Sequence, residues 1–136
     1  MKIKIDIREH AVIDIIKERN SSIKIEYVSL DIGDIHICDD EDNIILLIER
    51  KTIADLASSI TDGRYKEQSY RLHHHSTHNH NIMYIIEGRI MDYNDRFSRV
   101  SRKALYSAMM VLQYFKGFSV FRTSSKEETV DYVLQI

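Results

Sequence analysis

Two carboxylates and a lysine in this 136-residue chain have a spacing suited to metal-assisted hydrolysis. Asp34 precedes one short apolar segment, Glu49 ends the next, and Lys51 follows two residues later. Carboxylates side by side on adjacent strands repel each other, and Mg²⁺ bound between them would remove that repulsion. Because strand side chains alternate, Lys51 lies on the same face as Glu49. Two acids, a cation that activates water and a lysine that offsets developing charge could together hydrolyse a phosphodiester.

The register of the hairpin formed by these two segments decides whether the acids meet. If Cys38 and Ile44 flank the acidic turn, Asp34 lies opposite Ile48 or, after a slip of one residue, opposite Glu49. Both registers are compatible with the sequence.

Each of these residues also has an explanation that involves no chemistry. Glu49-Arg50-Lys51 could be a solvated strand end, and Gly33-Asp34 could be only a turn. Asp55 has the position of a capping-box acid in a helix that begins at Thr52. All of these explanations would have to hold together with the charged Asp6–Glu9 segment at the end of the first strand.

Hydrophobic periodicity predicts strands alternating with helices, typical of a mixed α/β sandwich with a central sheet and helices on both faces. The predicted strands are 2–9, 23–30, 35–38, 44–48, 81–88 and 118–123. In the first of these, Ile3, Ile5 and Ile7 share one face. The predicted helices are 10–19, 52–60, 63–72 and 101–117, with a last helix opened by a capping box of Ser125 and Glu128.

Composition sets limits on the function. The length fits one domain over residues 1–136, and no apolar run approaches the ~20 residues of a membrane span. The single cysteine, Cys38, indicates a reducing, intracellular setting. The net charge is −2, so nucleic-acid binding would require a local basic patch.

The motifs together resemble a known family. GD at 33–34, followed by ERKTIAD at 49–55, is similar to the G-D…E-R-K-x-x-x-D signature of XPF-type structure-specific endonucleases. The likeness extends along nearly the whole chain, through DIRE at 6–9, SITDGRYKEQSYRL at 59–72, YIIEG at 84–88 and SSKEETVDYVLQI at 124–136. The resemblance implies a restriction-endonuclease-like fold.

The resemblance also implies roles for individual residues. Metal ligation would fall to Asp34 and Glu49, and Lys51 would be the catalytic lysine. Independently of the resemblance, the Arg50 carbonyl lies between Glu49 and Lys51 on the strand and could be a further ligand. The Arg50 side chain would support the site. Asp6, Glu9 and Asp55 would complete the acidic cluster. The residues expected to form the site wall or contact the DNA backbone are Arg8, Asp62, Arg64 and Gln68.

The sequence departs from the family pattern at three points. Ile35 replaces the aromatic residue that usually follows G-D, and no segment resembles the usual helix-hairpin-helix DNA-binding domain. The stretch HHHSTHNH at 73–80 is not a family feature. It is either a polar surface loop or a metal site formed by histidines, namely His73, His74, His75, His78 and His80.

A group of basic residues could follow a phosphate backbone. It comprises Arg89, Arg96, Arg99, Arg102 and Lys103, with Arg64, Lys66 and Arg71. The alternative is an ordinary solvated helix entry.

The helix at 101–116 is apolar on more than one side. Leu105, Ala108, Met109 and Leu112 form one stripe, while Met110, Val111 and Tyr114 extend it. Such a helix is either deeply buried or shared with a partner. In the XPF-type family the corresponding helices form a dimer interface, so we expect a homodimer that buries this helix and the Tyr132–Ile136 end.

These observations predict a DNA endonuclease that depends on Mg²⁺ or Mn²⁺ and cuts near junctions in branched DNA, leaving a 5′-phosphate and a 3′-hydroxyl. Two alternatives remain open. One is a catalytically silent partner subunit, and the other is a nuclease without junction preference.

Overall fold

A six-stranded mixed sheet forms the centre of the computed structural model, which describes residues 1–96 and 98–136. The strands are β1 (Lys2–Asp6), β2 (Lys24–Val28), β3 (Ile35–Cys38), β4 (Ile44–Thr52), β5 (Ile82–Glu87) and β6 (Ser119–Thr123). The helices are α1 (His10–Glu18), α2 (Ile53–Asp62), α3 (Arg64–His73), α4 (Arg102–Met110) and α5 (Lys126–Val133). No helix in the described part of the chain is long and apolar enough to cross a membrane.

The strand order is β2-β1-β3-β4-β5-β6. β3 is antiparallel to both β1 and β4, whereas the pairs β1–β2, β4–β5 and β5–β6 are parallel. The predicted hairpin is thus the middle of the sheet, and parallel strands extend it on both sides.

Helices cover both faces of the sheet, as predicted. One core packs α2, α3 and α4 against the sheet through residues such as Leu56, Leu72 and Leu105. The other packs α1 and α5 through residues such as Val12, Ile16 and Val130. Side chains of β4 alternate between the two cores, with Leu47 in the first and Ile48 in the second.

The first strand is shorter than predicted. It ends at Asp6, and the expectation that Ile7 continues its apolar face is wrong, because Ile7 is exposed while Asp6 is buried. The chain turns here because the Asp6 carboxylate accepts a hydrogen bond from the Arg8 backbone N–H at 2.8 Å.

The long helix predicted at 101–117 is also modified. α4 ends at Met110 and continues as a π-helical turn over Val111–Phe115. The Tyr65 hydroxyl donates a hydrogen bond to the Ala108 carbonyl at 2.9 Å, which ties α3 to this helix just before the change.

A β-bulge in the hairpin decides the register that the sequence left open. Cys38 pairs with Ile44, but the register shifts between Ile37 and Cys38, so that Ile35 pairs with Ile48. Continued by one residue, this register places Asp34, which directly precedes β3, opposite Glu49 in β4.

Gly33 makes the approach to this position possible. Its φ is +74°, and a Cβ there would lie 2.7 Å from Leu47 Cδ2 and 3.2 Å from the Ile48 carbonyl oxygen. Only glycine fits so close to β4 with this backbone conformation.

Candidate active site

Asp34 and Glu49 lie together at the end of the β3–β4 hairpin. The Asp34 N–H donates to the Ile48 carbonyl at 2.8 Å, and Asp34 Oδ2 accepts from the Arg50 N–H at 2.8 Å. Both acids line a cleft of about 230 Å³, which is bordered also by Arg8, Asp31, Ile32, Gly33, Gln68, Arg71 and Leu72. The two acids predicted from spacing are therefore neighbours.

The proximity of these acids changes their ionisation. Burial raises the pKa of Glu49, and the negative charge of Asp34 raises it further. Burial likewise raises the pKa of Asp34, although the Arg50 N–H and the charges of Lys51 and Arg50 oppose the shift. In the absence of an added cation, this pair resists carrying two negative charges.

Lys51 lies on the Glu49 side of β4, as strand alternation predicted. Lys51 is not part of a solvated strand end, because the residue is only 6% exposed. Its Nζ donates a 2.7 Å hydrogen bond to Gln68 Oε1 on α3. Gln68 is thus a wall residue of the cleft that holds the lysine.

Arg50 points to the opposite side of β4, towards α1 and α5. Its guanidinium forms two hydrogen bonds with Glu87, at 2.8 and 2.6 Å, and one with Glu9 at 3.3 Å. Glu87 was absent from the expected site residues, although it ends a buried apolar strand just as Glu49 does.

Asp6 is engaged by other partners. Its two carboxylate oxygens accept hydrogen bonds from the Arg8 side chain at 2.8 and 2.9 Å and from the Leu30 N–H at 3.0 Å. The Arg8 side chain holds the pKa of Asp6 well below its usual range. Asp6 therefore braces the wall of the cleft, and most of its hydrogen-bonding capacity is used there.

Glu9 stands near both groups of charges. Burial raises its pKa to about 7, and the charge of Asp34 contributes while Arg50 opposes the shift. Glu9 is the acid that links the Asp34 side of the site to the Arg50 side.

Asp55 is exposed on the first turn of α2. Its N–H donates to the Thr52 hydroxyl at 3.0 Å, which confirms Thr52 as the N-cap. The position of the Asp55 carboxylate at a helix N-terminus agrees with the capping explanation.

The acids fit a hard divalent cation. Within the described residues, neither Asp34 nor Glu49 forms a salt bridge, and the nearby Lys51 donates to Gln68 instead. No set of three or more His, Cys, Asp or Glu side chains is grouped to hold a metal in that part of the chain. A pair of carboxylates remains adequate for Mg²⁺, which keeps several waters and binds through one or two carboxylates.

Tyr84 is a further polar group beside this pair. It is the register partner of Glu49 on β5, and its hydroxyl is buried with no hydrogen-bond partner in the described structure. Burial and the charge of Glu49 raise the pKa of Tyr84, so its hydroxyl stays protonated and can donate.

Some of the expected DNA-contacting residues are accessible to a ligand, and others are engaged by partners within the protein. Arg8 and Arg71 border the cleft, and Arg99 and Lys103 are exposed. Arg64 pairs with Asp62 at 2.8 Å. Arg102 donates to the carbonyls of Tyr93 and Met91, so its guanidinium fixes the preceding loop.

The histidine-rich stretch covers the end of α3 and the following turn. His73 lies 2.8 Å from the Asn79 side-chain amide and packs edge-on against Phe118. Within the described residues these histidines form no group of three or more metal-ligating side chains.

The family model for the ERCC4 domain matches residues 5–136. A probable crossover junction endonuclease mus81 of Dictyostelium discoideum is 33% identical over 137 residues, covering 88% of this chain. An ERCC4 domain-containing protein of African swine fever virus is 27% identical and covers 96% of the chain. The chain spans only 15% of the length of the first protein and 39% of the second.

Solved structures similar to this chain include two of XPF. XPF from Aeropyrum pernix superposes with a TM-score of 0.76 and 28% identity, over 99% of this chain and 62% of that one. XPF from the same organism in a complex with DNA gives a TM-score of 0.74 at 29% identity, over 98% of this chain and 61% of that one. The fold is therefore that of the XPF nuclease domain, and the chain belongs to the ERCC4 domain family.

Proposed function

We propose that this chain is a structure-specific DNA endonuclease that uses a divalent cation, Mg²⁺ or Mn²⁺, to hydrolyse phosphodiesters near junctions in branched DNA. The observation that carries the proposal is the pair of half-buried carboxylates, Asp34 and Glu49, which line one cleft beside the buried Lys51. The relatives named as crossover junction endonucleases, and the XPF structure solved with DNA, support branched DNA as the substrate class.

Asp34 and Glu49 hold the cation in this proposal. The Arg50 carbonyl is a third candidate ligand, because the N–H and C=O of a strand residue point to the same edge and the Arg50 N–H already faces Asp34. When bound, the cation supplies the positive charge that activates water and offsets charge on the phosphate.

Lys51 stabilises the charge that develops on the scissile phosphate. Gln68 fixes the lysine amine, so the positive charge is already in place before the reaction and needs little reorganisation. Arg8 and Arg71 at the mouth of the cleft, with exposed Arg99 and Lys103 further away, contact the DNA backbone.

The direct test is a cleavage assay on flaps, forks, four-way junctions and linear duplexes with Mg²⁺, Mn²⁺ or Ca²⁺. Asp34→Asn and Glu49→Gln should each lower the cleavage rate by at least ~10²-fold, because each removes a charged group from the reaction centre. Glu41→Gln, which changes an exposed acid in the turn of the same hairpin, should cleave normally.

The outcomes separate the alternatives. Equal cleavage of linear and branched DNA would indicate a nuclease without junction preference. DNA binding with no cleavage under any metal would indicate a silent partner subunit. Cleavage that survives both acid substitutions would remove Asp34 and Glu49 from catalysis.

The raised pKa values predict how metal-free stability depends on pH. Because the native protein holds protons on Glu49 and Glu9 that the unfolded chain releases near ~4.3, stability should fall as pH rises from about 5 to about 8. Urea unfolding in EDTA should show a shallower fall for Glu49→Gln. Mg²⁺ at the upper pH should stabilise the unmodified protein and not the variant. Identical pH profiles would contradict the electrostatic account of the pair.

Lys51→Ala should affect both activity and stability. We expect cleavage to fall by ~10²-fold. The free energy of unfolding should also fall by about 1–3 kcal/mol, since Gln68 loses a buried partner. Lys66→Ala, an exposed lysine on the same helix as Gln68, should change stability by less than ~0.5 kcal/mol. Normal cleavage by Lys51→Ala in chemical-quench assays would end its assignment as the catalytic lysine.

We also propose a homodimer through the exposed apolar side of α4 and the following π-helical turn. Met110 is 60% and Phe115 is 73% exposed, and Tyr106 and Tyr114 lie on the same segment. Phe121 on the edge strand β6 stacks on Tyr132 of α5, and both rings remain partly exposed near the chain end. An apolar surface of this kind typically marks a protein interface.

Sedimentation equilibrium should show a dimer at micromolar concentration. Met110→Glu should weaken the dimer because it places a charge in the apolar contact, whereas Ile45→Glu, at an exposed apolar position on β4, should not. A monomer for the unmodified chain would exclude self-association through this surface.

A further inference from the structure

We propose that Glu87 is a positioning residue for the active site, acting through Arg50. This inference rests on the proposed nuclease function and adds a residue that lies outside the cleft. Glu87 ends β5 and is only 7% exposed. Its carboxylate faces α5 on the side of the sheet opposite the Lys51 amine.

A chain of hydrogen bonds leads from α5 to β4. The hydroxyl oxygens of Thr123 and Thr129 lie 2.7 Å apart, and the Thr129 hydroxyl donates to Glu87 Oε1 at 2.8 Å. Glu87 then accepts from Arg50 Nε and Nη2 at 2.8 and 2.6 Å. All four side chains are buried or nearly so, and the two threonines are almost completely enclosed.

The donors and acceptors in this chain are consistently matched. The Thr129 hydroxyl has one proton and two acceptors within reach, Glu87 Oε1 at 2.8 Å and the Ser125 carbonyl at 3.2 Å. When it donates to the nearer Glu87, Thr123 can donate to Thr129. Glu87 thus receives three hydrogen bonds, two of them from the planar fork of Arg50. A bidentate arginine–carboxylate contact fixes orientation as well as distance.

The Arg50 backbone connects this chain of hydrogen bonds to the reaction centre. Its N–H donates to Asp34 Oδ2, and its neighbours in the strand are Glu49 and Lys51. If the Arg50 side chain were free to change rotamer, the β4 backbone at this point would lose its support on the α5 side. The remaining partner, Glu9, accepts only one hydrogen bond from Arg50, at 3.3 Å, and would restrain the side chain less than Glu87 does.

A purely structural role would leave a different signature. Buried ion pairs often contribute little net stability, so we infer that the Glu87–Arg50 contact serves mainly to fix the orientation of the Arg50 side chain. A structural residue would change the fraction of folded protein, whereas a positioning residue changes kcat in the folded protein.

Glu87→Gln is the principal test, because it keeps the side-chain size and removes one acceptor and the charge. We expect kcat on the best branched substrate to fall by about 10–100-fold, with KM nearly unchanged. Thr129→Val, a milder change that removes one donor to Glu87, should give a smaller fall in the same direction. Asp131→Asn breaks the Arg19–Asp131 contact between α1 and α5, and should leave kcat unchanged.

A double-mutant cycle with Arg50→Lys tests whether Glu87 acts through Arg50. The double variant should be no slower than the slower single variant, since both changes break one contact. Additive losses would overturn the proposed route through Arg50. Normal kcat in folded Glu87→Gln would overturn the positioning role itself.

Hydrogen exchange supplies a readout that needs no cleavage. The Arg50 amide should lose about tenfold of its protection in Glu87→Gln, relative to amides of β1, and keep it in Asp131→Asn. If the unmodified protein cleaves no DNA, the proposed function fails, and unchanged protection at Arg50 would show independently that the positioning proposal fails.

Discussion

The crowding of two carboxylates at the end of the β3–β4 hairpin is the constraint on which the rest of the site depends. Asp34 and Glu49 meet because a bulge shifts the register and because Gly33 lets the chain approach Leu47 without a side chain in the way. Burial then makes two negative charges costly. In the proposed function a divalent cation would offset that cost, so the geometry that destabilises the metal-free protein would favour metal binding.

The two faces of β4 present different charged side chains to different helices. Lys51 and Glu49 point towards α3, where Gln68 holds the lysine at the cleft. Arg50 points towards α5, where Glu87 holds the guanidinium away from it. Three consecutive charged residues at a strand end are therefore not a solvated edge. Arg50 and Lys51 each have a separate hydrogen-bond partner, Glu49 lies opposite Asp34, and the alternation of the strand determines the side of the sheet on which each side chain lies.

The sequence predicted this arrangement only in part, and the reasons are physical. Alternation and turn length sufficed to bring Asp34 near Glu49 and to separate Arg50 from Lys51. The bulge that selects the register depends on local backbone geometry, which no residue type signals. The burial of Lys51 depends on how α3 packs, a tertiary contact that strand periodicity does not encode. Glu87 was foreseeable, because it too is a charge at the end of a buried apolar strand. The helix layers on both faces of the sheet followed from periodicity. The strand order was not predicted, and the early end of β1 depends on the turn that the Asp6 side chain forms with the Arg8 N–H.

Anomalous diffraction from crystals soaked in Mn²⁺ tests the central claim most directly, because it locates the cation without reference to activity. We expect an anomalous difference peak between the carboxylates of Asp34 and Glu49, and its loss in Glu49→Gln crystals. A peak at the histidine-rich stretch 73–80 alone, or none between these two acids at saturating Mn²⁺, would show that Asp34 and Glu49 do not hold the cation.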